Sequence, residues 1–177
     1  MNLPNKLSLV RVFCIPVFVF LLYLSTSWSR WAAIFVFIFA SLTDFFDGYL
    51  ARKHHWITDF GKFIDPLADK ILVLSSFIML TELHQLPAWF TILVLARELS
   101  VDGLRLIAMT NQQVIAAGKL GKIKTFSQMI YILFLLVFNI HAFDSLLSIL
   151  FTCWIGIITF WSGTDYFIKN RKVFSSK

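Results

Sequence analysis

The pattern D-x-x-D-G-x-x-A-R, eight further residues, then G-x-x-x-D-x-x-x-D runs from Asp44 to Asp69, and its fixed positions include four of the chain's ten acidic residues. Asp44 and Asp47 are three apart and Asp65 and Asp69 four apart, the two spacings that put side chains on one face of a helix. Four carboxylates brought together repel one another and stay ionised only beside cations. A set of oxygen ligands with no thiol among them selects Mg²⁺ or Mn²⁺ over zinc. Arg52 adds a planar, permanently charged donor fork suited to a phosphate. Gly48 removes a side chain where a ligand would approach the helix, Ala51 keeps the same surface shallow, and Gly61 leaves a second shallow place before Asp65. His54 and His55 are neighbours in sequence, project in different directions, and are not assigned as ligands. The chemistry predicted is metal-assisted phosphate chemistry.

The elements that must position these residues are membrane spans. With 58% hydrophobic and 17% aromatic residues in 177 and a mean hydropathy of +0.77, the chain is too apolar to enclose its surface in one water-soluble core. A span needs about 20 apolar residues. Six such stretches occur, at roughly residues 7–25, 31–51, 64–81, 87–109, 125–140 and 145–168, which predicts an all-α, polytopic membrane protein forming a single domain over residues 1–177. The polar opening with Pro4 and Asn5 predicts a short N-terminal interfacial helix. Pro66 suits a first helical turn, so the third span is expected to begin near Asp65. A short connection makes spans two and three antiparallel neighbours, so their four aspartates can converge at one membrane depth. The first apolar run has no small-residue cleavage site after it and reads as an uncleaved span. Cys14 and Cys153 lie within apolar segments and read as packing residues.

The net charge of +6 does not form a nucleic-acid-binding face. Lys6, Arg52, Lys53, Lys62, Lys119, Lys122, Lys124, Lys169, Arg171, Lys172 and Lys177 fall in alternate connections or at the ends, while the opposite connections hold only Arg30. The positive-inside rule then puts both termini and the aspartates on the cytosolic side. In the fourth span Arg97, Glu98, Asp102 and Arg105 share an arc of roughly 140°. That stripe is either an ion network among these four or a site for an anion. Lys119, Lys122 and Lys124 either enforce topology or touch a phosphorylated substrate, and Gly118 and Gly121 between them favour contact.

The Asp44–Asp69 pattern resembles the signature of the CDP-alcohol phosphatidyltransferases, with every fixed position present, and six spans agree with that family's six-helix membrane fold. The resemblance implies that Asp44, Asp47 and Asp65 hold two divalent cations, Mg²⁺ or Mn²⁺, and that Asp69 shares in this and acts as general base. It implies that Asp44, Gly48, Ala51, Arg52 and Gly61 frame the cytidine diphosphate group of CDP-diacylglycerol, and that the chain forms homodimers. Three further segments, N-L-P-N-K-L-S-L-V-R from Asn2, Arg97 to Arg105, and Ala116 to Thr125, are similar to bacterial members that use glycerol 3-phosphate as acceptor. A bacterial inner (plasma) membrane location follows from that similarity. Arg105 and Lys122, with Arg97, Lys119 and Lys124, would then bind the acceptor phosphate, and Asn5 would reach the same cavity. Another acceptor, such as phosphatidylglycerol, serine or an inositol phosphate, is the nearest alternative. A cation transporter would need acidic residues along a through-route, and spans one and five contain none. A lipid-binding scaffold leaves the aspartates without a purpose.

Overall fold

The computed structural model describes residues 3–24, 26–54, 59–110 and 118–174; the side chains of residues 3–7, 44–54, 59–63, 65, 66, 119, 172 and 174 lie outside the description. Among the described residues all regular structure is helical: α1 (Leu3–Tyr23), α2 (Ser27–His54), α3 (Asp59–Glu82), α4 (Ala88–Thr110), α5 (Lys119–Phe138), α6 (Leu146–Lys169) and a short 3₁₀ helix, Arg171–Phe174. The six expected spans are these six helices. The polar opening is continuous with the first span, Pro4 being the second residue of α1, where a missing N–H leaves no bond unmade. α3 begins at Asp59, six residues before the expected start, and runs through Pro66.

α5 and α6 each carry a stretch long and apolar enough to cross a bilayer, Leu120–Phe138 and Leu146–Lys169, while α1 and α2 have shorter apolar stretches, Ser8–Tyr23 and Ser27–Thr43. α3 and α4 are interrupted by the charged residues that the sequence singles out. The large apolar side chains left outside, Phe13, Phe35 and Phe160 among them, suit a hydrocarbon surround. Trp28 and Trp31 are exposed near the amino end of α2, and Trp89 near that of α4, and exposed tryptophans at span ends suit a membrane interface. The chain is an all-α polytopic membrane protein.

The contacts divide the chain into two compact units, Met1–Met79 and Leu80–Lys177. In the first, α1 packs on α2. Ser8, Arg11, Ile15, Phe18 and Leu22 form one buried stripe and Ser29, Ala33, Phe37, Ala40 and Thr43 another, each recurring every three or four residues. The Phe18 and Phe37 rings meet at 5.8 Å. Thr26 and Ser29 exchange backbone-to-hydroxyl bonds at the start of α2, a reciprocal cap that fixes where the helix begins.

Arg11 is fully buried, and its Nε donates to the Ala40 carbonyl at 3.2 Å, which also accepts from Thr43 Oγ1 at 2.7 Å. This pins α1 to α2 one turn before Asp44. Arg11→Ala would remove a large buried side chain together with its bond to Ala40, a loss of about 3 kcal/mol. It is expected to lower the melting temperature in detergent and to reduce activity in parallel; an unchanged melting temperature would dismiss the pinning role.

In the second unit α6 packs on both α4 and α5. Tyr131 bonds Thr152 through their hydroxyls at 2.6 Å, and Tyr131 and Phe134 each stack on Phe151. Ser145 caps α6 in a reciprocal arrangement with Ser148. At the end away from the lysines, Gln85 Nε2 donates to Asn139 Oδ1 at 2.8 Å and the Ala142 amide to the Gln85 carbonyl at 2.8 Å, tying two connections together. At the other end Val101, Leu104, Ala108, Tyr166 and Val173 form a small core that docks the 3₁₀ turn against α4 and α6.

Candidate active site

The aspartate pattern divides between two helices of the first unit. Asp44 and Asp47 lie in the last three turns of α2 and Asp65 and Asp69 in the first three turns of α3. Both helices run unbroken through these positions, so the spacings of three and four each keep a pair on one helical face. Gly48, Ala51 and Arg52 continue along the same end of α2, and Gly61 lies in the first turn of α3. The side chains of Asp44, Asp47, Ala51, Arg52 and Asp65 lie outside the described residues, as does the side chain of Asn5 in the first turn of α1. Asp69 is half-buried, and Ala68 and Leu72 beside it are fully buried, which fixes the rotation of α3 about its axis at this point. A carboxylate set carried on two rigid helices suits hard divalent cations, since oxygen is the only ligand type it offers.

The second unit holds Arg97, Arg105, Lys119, Lys122 and Lys124. Arg97, half-buried on α4, donates from Nη1 to Glu98 Oε1 at 3.1 Å, and the buried Lys124 ammonium donates to the same oxygen from α5. Of the two readings open for the α4 stripe, the ion network is present at Arg97 and Glu98, with Lys124 as a member that helical spacing on α4 alone could not reveal. Arg105 takes a different partner. Its Nε donates to the Tyr166 hydroxyl at 3.0 Å, and its guanidinium carbon lies 5.5 Å from the centre of that ring, within the range of a cation–π contact.

Lys119, Lys122, Lys124 and Thr125 are not in a loop, as their polar neighbourhood suggests. They occupy the first two turns of α5, which starts after Gly118, an extended residue without a side-chain cap. No acidic residue lies in that first turn, so lysines gather at the positive end of a helix dipole. Cations are unfavourable at that end, and Glu98 offsets one of them through Lys124. Lys122 is exposed, and the Lys119 side chain lies outside the described residues.

Between α4 and α6 a groove of about 420 Å³ is lined by Leu93, Ala96, Ser100, Phe160 and Phe167, with Arg97 in its wall beside Gly163. Sequence reading missed Tyr166, Gly163 and Arg11. Arg11 gave a signal, a lone arginine inside an apolar run; Tyr166 and Gly163 gave none, because their importance comes from α4 packing against α6.

Carboxylates on α2 and α3 are residue types that suit divalent metal, and the cations on α4 and α5 are types that suit phosphate. A sequence model of the CDP-alcohol phosphatidyltransferase family matches residues 1–161, and the chain belongs to that family. It is 42% identical to the CDP-diacylglycerol–glycerol-3-phosphate 3-phosphatidyltransferase of Bacillus subtilis, covering 96% of this chain and 95% of the relative. It is 37% identical to the proteins of the same name from Rickettsia felis, covering 98% and 97%, and from Escherichia coli K12, covering 96% and 95%.

Proposed function

We propose that this protein transfers the phosphatidyl group of CDP-diacylglycerol to sn-glycerol 3-phosphate, giving phosphatidylglycerol phosphate and CMP. The observation that carries this reading is the match over nearly the whole chain to relatives whose names state that reaction, with the Asp44–Asp69 pattern intact. Residues 1–177 act as one functional domain of a multi-pass protein of the bacterial inner membrane, working as a homodimer. Both termini and the aspartates face the cytosol, a reading that the distribution of Lys and Arg supports.

Asp44, Asp47, Asp65 and Asp69 hold two divalent cations, Mg²⁺ or Mn²⁺. When bound, such a pair neutralises the diphosphate and stabilises the phosphate oxygen of departing CMP. Asp44, Gly48, Ala51, Arg52 and Gly61 frame the cytidine diphosphate, the small residues admitting it close to the α2 and α3 backbones. Asp69 takes the proton of the acceptor's attacking hydroxyl. That oxygen bonds to the β-phosphorus of the CDP-lipid as the bond from the same phosphorus to CMP breaks. Phosphoryl-group chemistry of this kind depends on positioning and charge more than on covalent catalysis.

The acceptor is already a phosphate ester, so its binding site must be cationic. Arg97, Arg105, Lys119, Lys122 and Lys124 serve this role, and Asn5 adds a hydrogen bond. The uncapped, lysine-rich start of α5 supports the assignment. Arg105→Ala and Lys122→Ala are expected to raise KM for glycerol 3-phosphate about tenfold each, the effect of losing one charged hydrogen bond, while KM for CDP-diacylglycerol stays within twofold. Unaltered KM for glycerol 3-phosphate in both variants would count against this acceptor site.

A further inference from the structure

Glu98 bonds cations from two helices of the second unit, Arg97 of α4 and Lys124 of α5, and nothing in the transfer reaction uses it. It lies on α4, is 7% exposed, and accepts from Arg97 Nη1 and from the Lys124 ammonium, itself 3% exposed, at a single oxygen. Two cations held against one carboxylate are fixed relative to each other, since neither can move without leaving the other's shared partner.

Gly163 leaves room for the stem of Arg97, and Gly121 lies at ordinary contact distance from its far end. A Cβ built at Gly163 on α6 would stand 3.1 Å from Arg97 Cγ and 3.9 Å from its Nε, and one at Gly121 on α5 would stand 4.0 Å from Nη2. The arginine therefore passes from α4 between α5 and α6 where both helices lack side chains. Its Nε is buried there without a hydrogen bond. A buried donor left unmade costs stability, so packing on Gly163 and the pull of Glu98 hold the side chain in place against that cost.

We propose that Glu98 is a positioning residue for the acceptor: it holds Arg97 and Lys124 as a fixed cationic pair, with Gly163 as the clearance that lets the guanidinium reach it. This rests on the reading that these two cations serve the acceptor phosphate. Glu98 touches no substrate and acts through the pair. Without its charge, the two cations lose the oxygen that they share and are no longer held together through it.

The test uses the purified full-length chain with CDP-diacylglycerol and glycerol 3-phosphate. Glu98→Gln is expected to raise KM for glycerol 3-phosphate by tenfold or more, the effect of removing one partner from a buried charge group, with KM for CDP-diacylglycerol within twofold. Glu98→Asp should recover part of the loss. Stabilisation against heating by glycerol 3-phosphate should disappear in Glu98→Gln while stabilisation by the CDP-lipid persists. If Glu98→Gln does not fold, Gly163→Ala takes its place, since the added Cβ crowds Arg97 Cγ and asks it to shift by a few tenths of an ångström without removing a charge; its KM for glycerol 3-phosphate should rise several-fold. Equal increases in both KM values, or an unchanged KM for glycerol 3-phosphate in the folded variant, would overturn the proposal. Failure of the wild-type protein to release CMP with glycerol 3-phosphate would remove the acceptor reading and this proposal with it, and shows before any variant is made.

Discussion

Asp69→Asn is expected to lower CMP release by roughly 10³-fold, within the range that a positioned general base contributes. Asparagine keeps the shape of the side chain and one oxygen acceptor, but it cannot take a proton at neutral pH. The neighbours of Asp69 make the variant informative. Ala68 and Leu72 are fully buried and hold α3 in its rotation whether or not residue 69 is charged. Folding should survive, and binding of the CDP-lipid should be largely kept because Asp44, Asp47 and Asp65 are untouched. Circular dichroism and a CDP-diacylglycerol titration separate these effects from turnover. Near-wild-type turnover in a folded Asp69→Asn protein would remove the general-base assignment.

Metal removal is expected to have the other large effect. Chelation should abolish CMP release, and Mg²⁺ or Mn²⁺ should restore it. Asp47→Ala should behave as a partial chelation that added metal does not fully reverse, with kcat lowered by at least 10²-fold, the scale of losing one preorganised charge at a phosphoryl transfer site. The reason lies in like-charge repulsion: four carboxylates at two helix ends are mutually unfavourable without cations. Chelation should therefore also change the melting temperature, and that readout does not depend on turnover. Activity that persists in excess chelator would exclude a metal role for the pattern.

The helices themselves were legible in the sequence because a bilayer constrains them strongly. Apolar runs of the right length, polar interruptions and the alternation of lysine-rich connections locate six helices whose ends fall within a few residues of the expected ones. The exceptions have local causes. α3 starts at Asp59 because a proline inside the helix did not set its beginning, and α5 starts at Lys119 because three lysines made its first turns resemble a loop.

The α4 stripe was visible as a 3.6-residue periodicity, yet its partners were not. Glu98 meets Lys124 from 26 positions away and Arg105 meets Tyr166 from 61 away. Such pairs depend on how α4, α5 and α6 cross, which no local pattern encodes. Gly163 is the clearest case. In the sequence it is a glycine in an apolar span, and only the passage of Arg97 beside it shows why a side chain would be unwelcome there. Arg11 illustrates the opposite case, since a buried arginine early in an apolar run stands out, although its acceptor, the Ala40 carbonyl, becomes apparent only once α1 and α2 are packed.

The measurement that bears most directly on the function is CMP release from CDP-diacylglycerol by the purified protein, with glycerol 3-phosphate, phosphatidylglycerol, serine and inositol phosphate offered separately. Release with glycerol 3-phosphate alone, lost on chelation and regained with Mg²⁺ or Mn²⁺, is the predicted result. Release with a different acceptor would keep the chemistry of the aspartates and contradict the assigned substrate, and no release with any of the four would contradict the account itself.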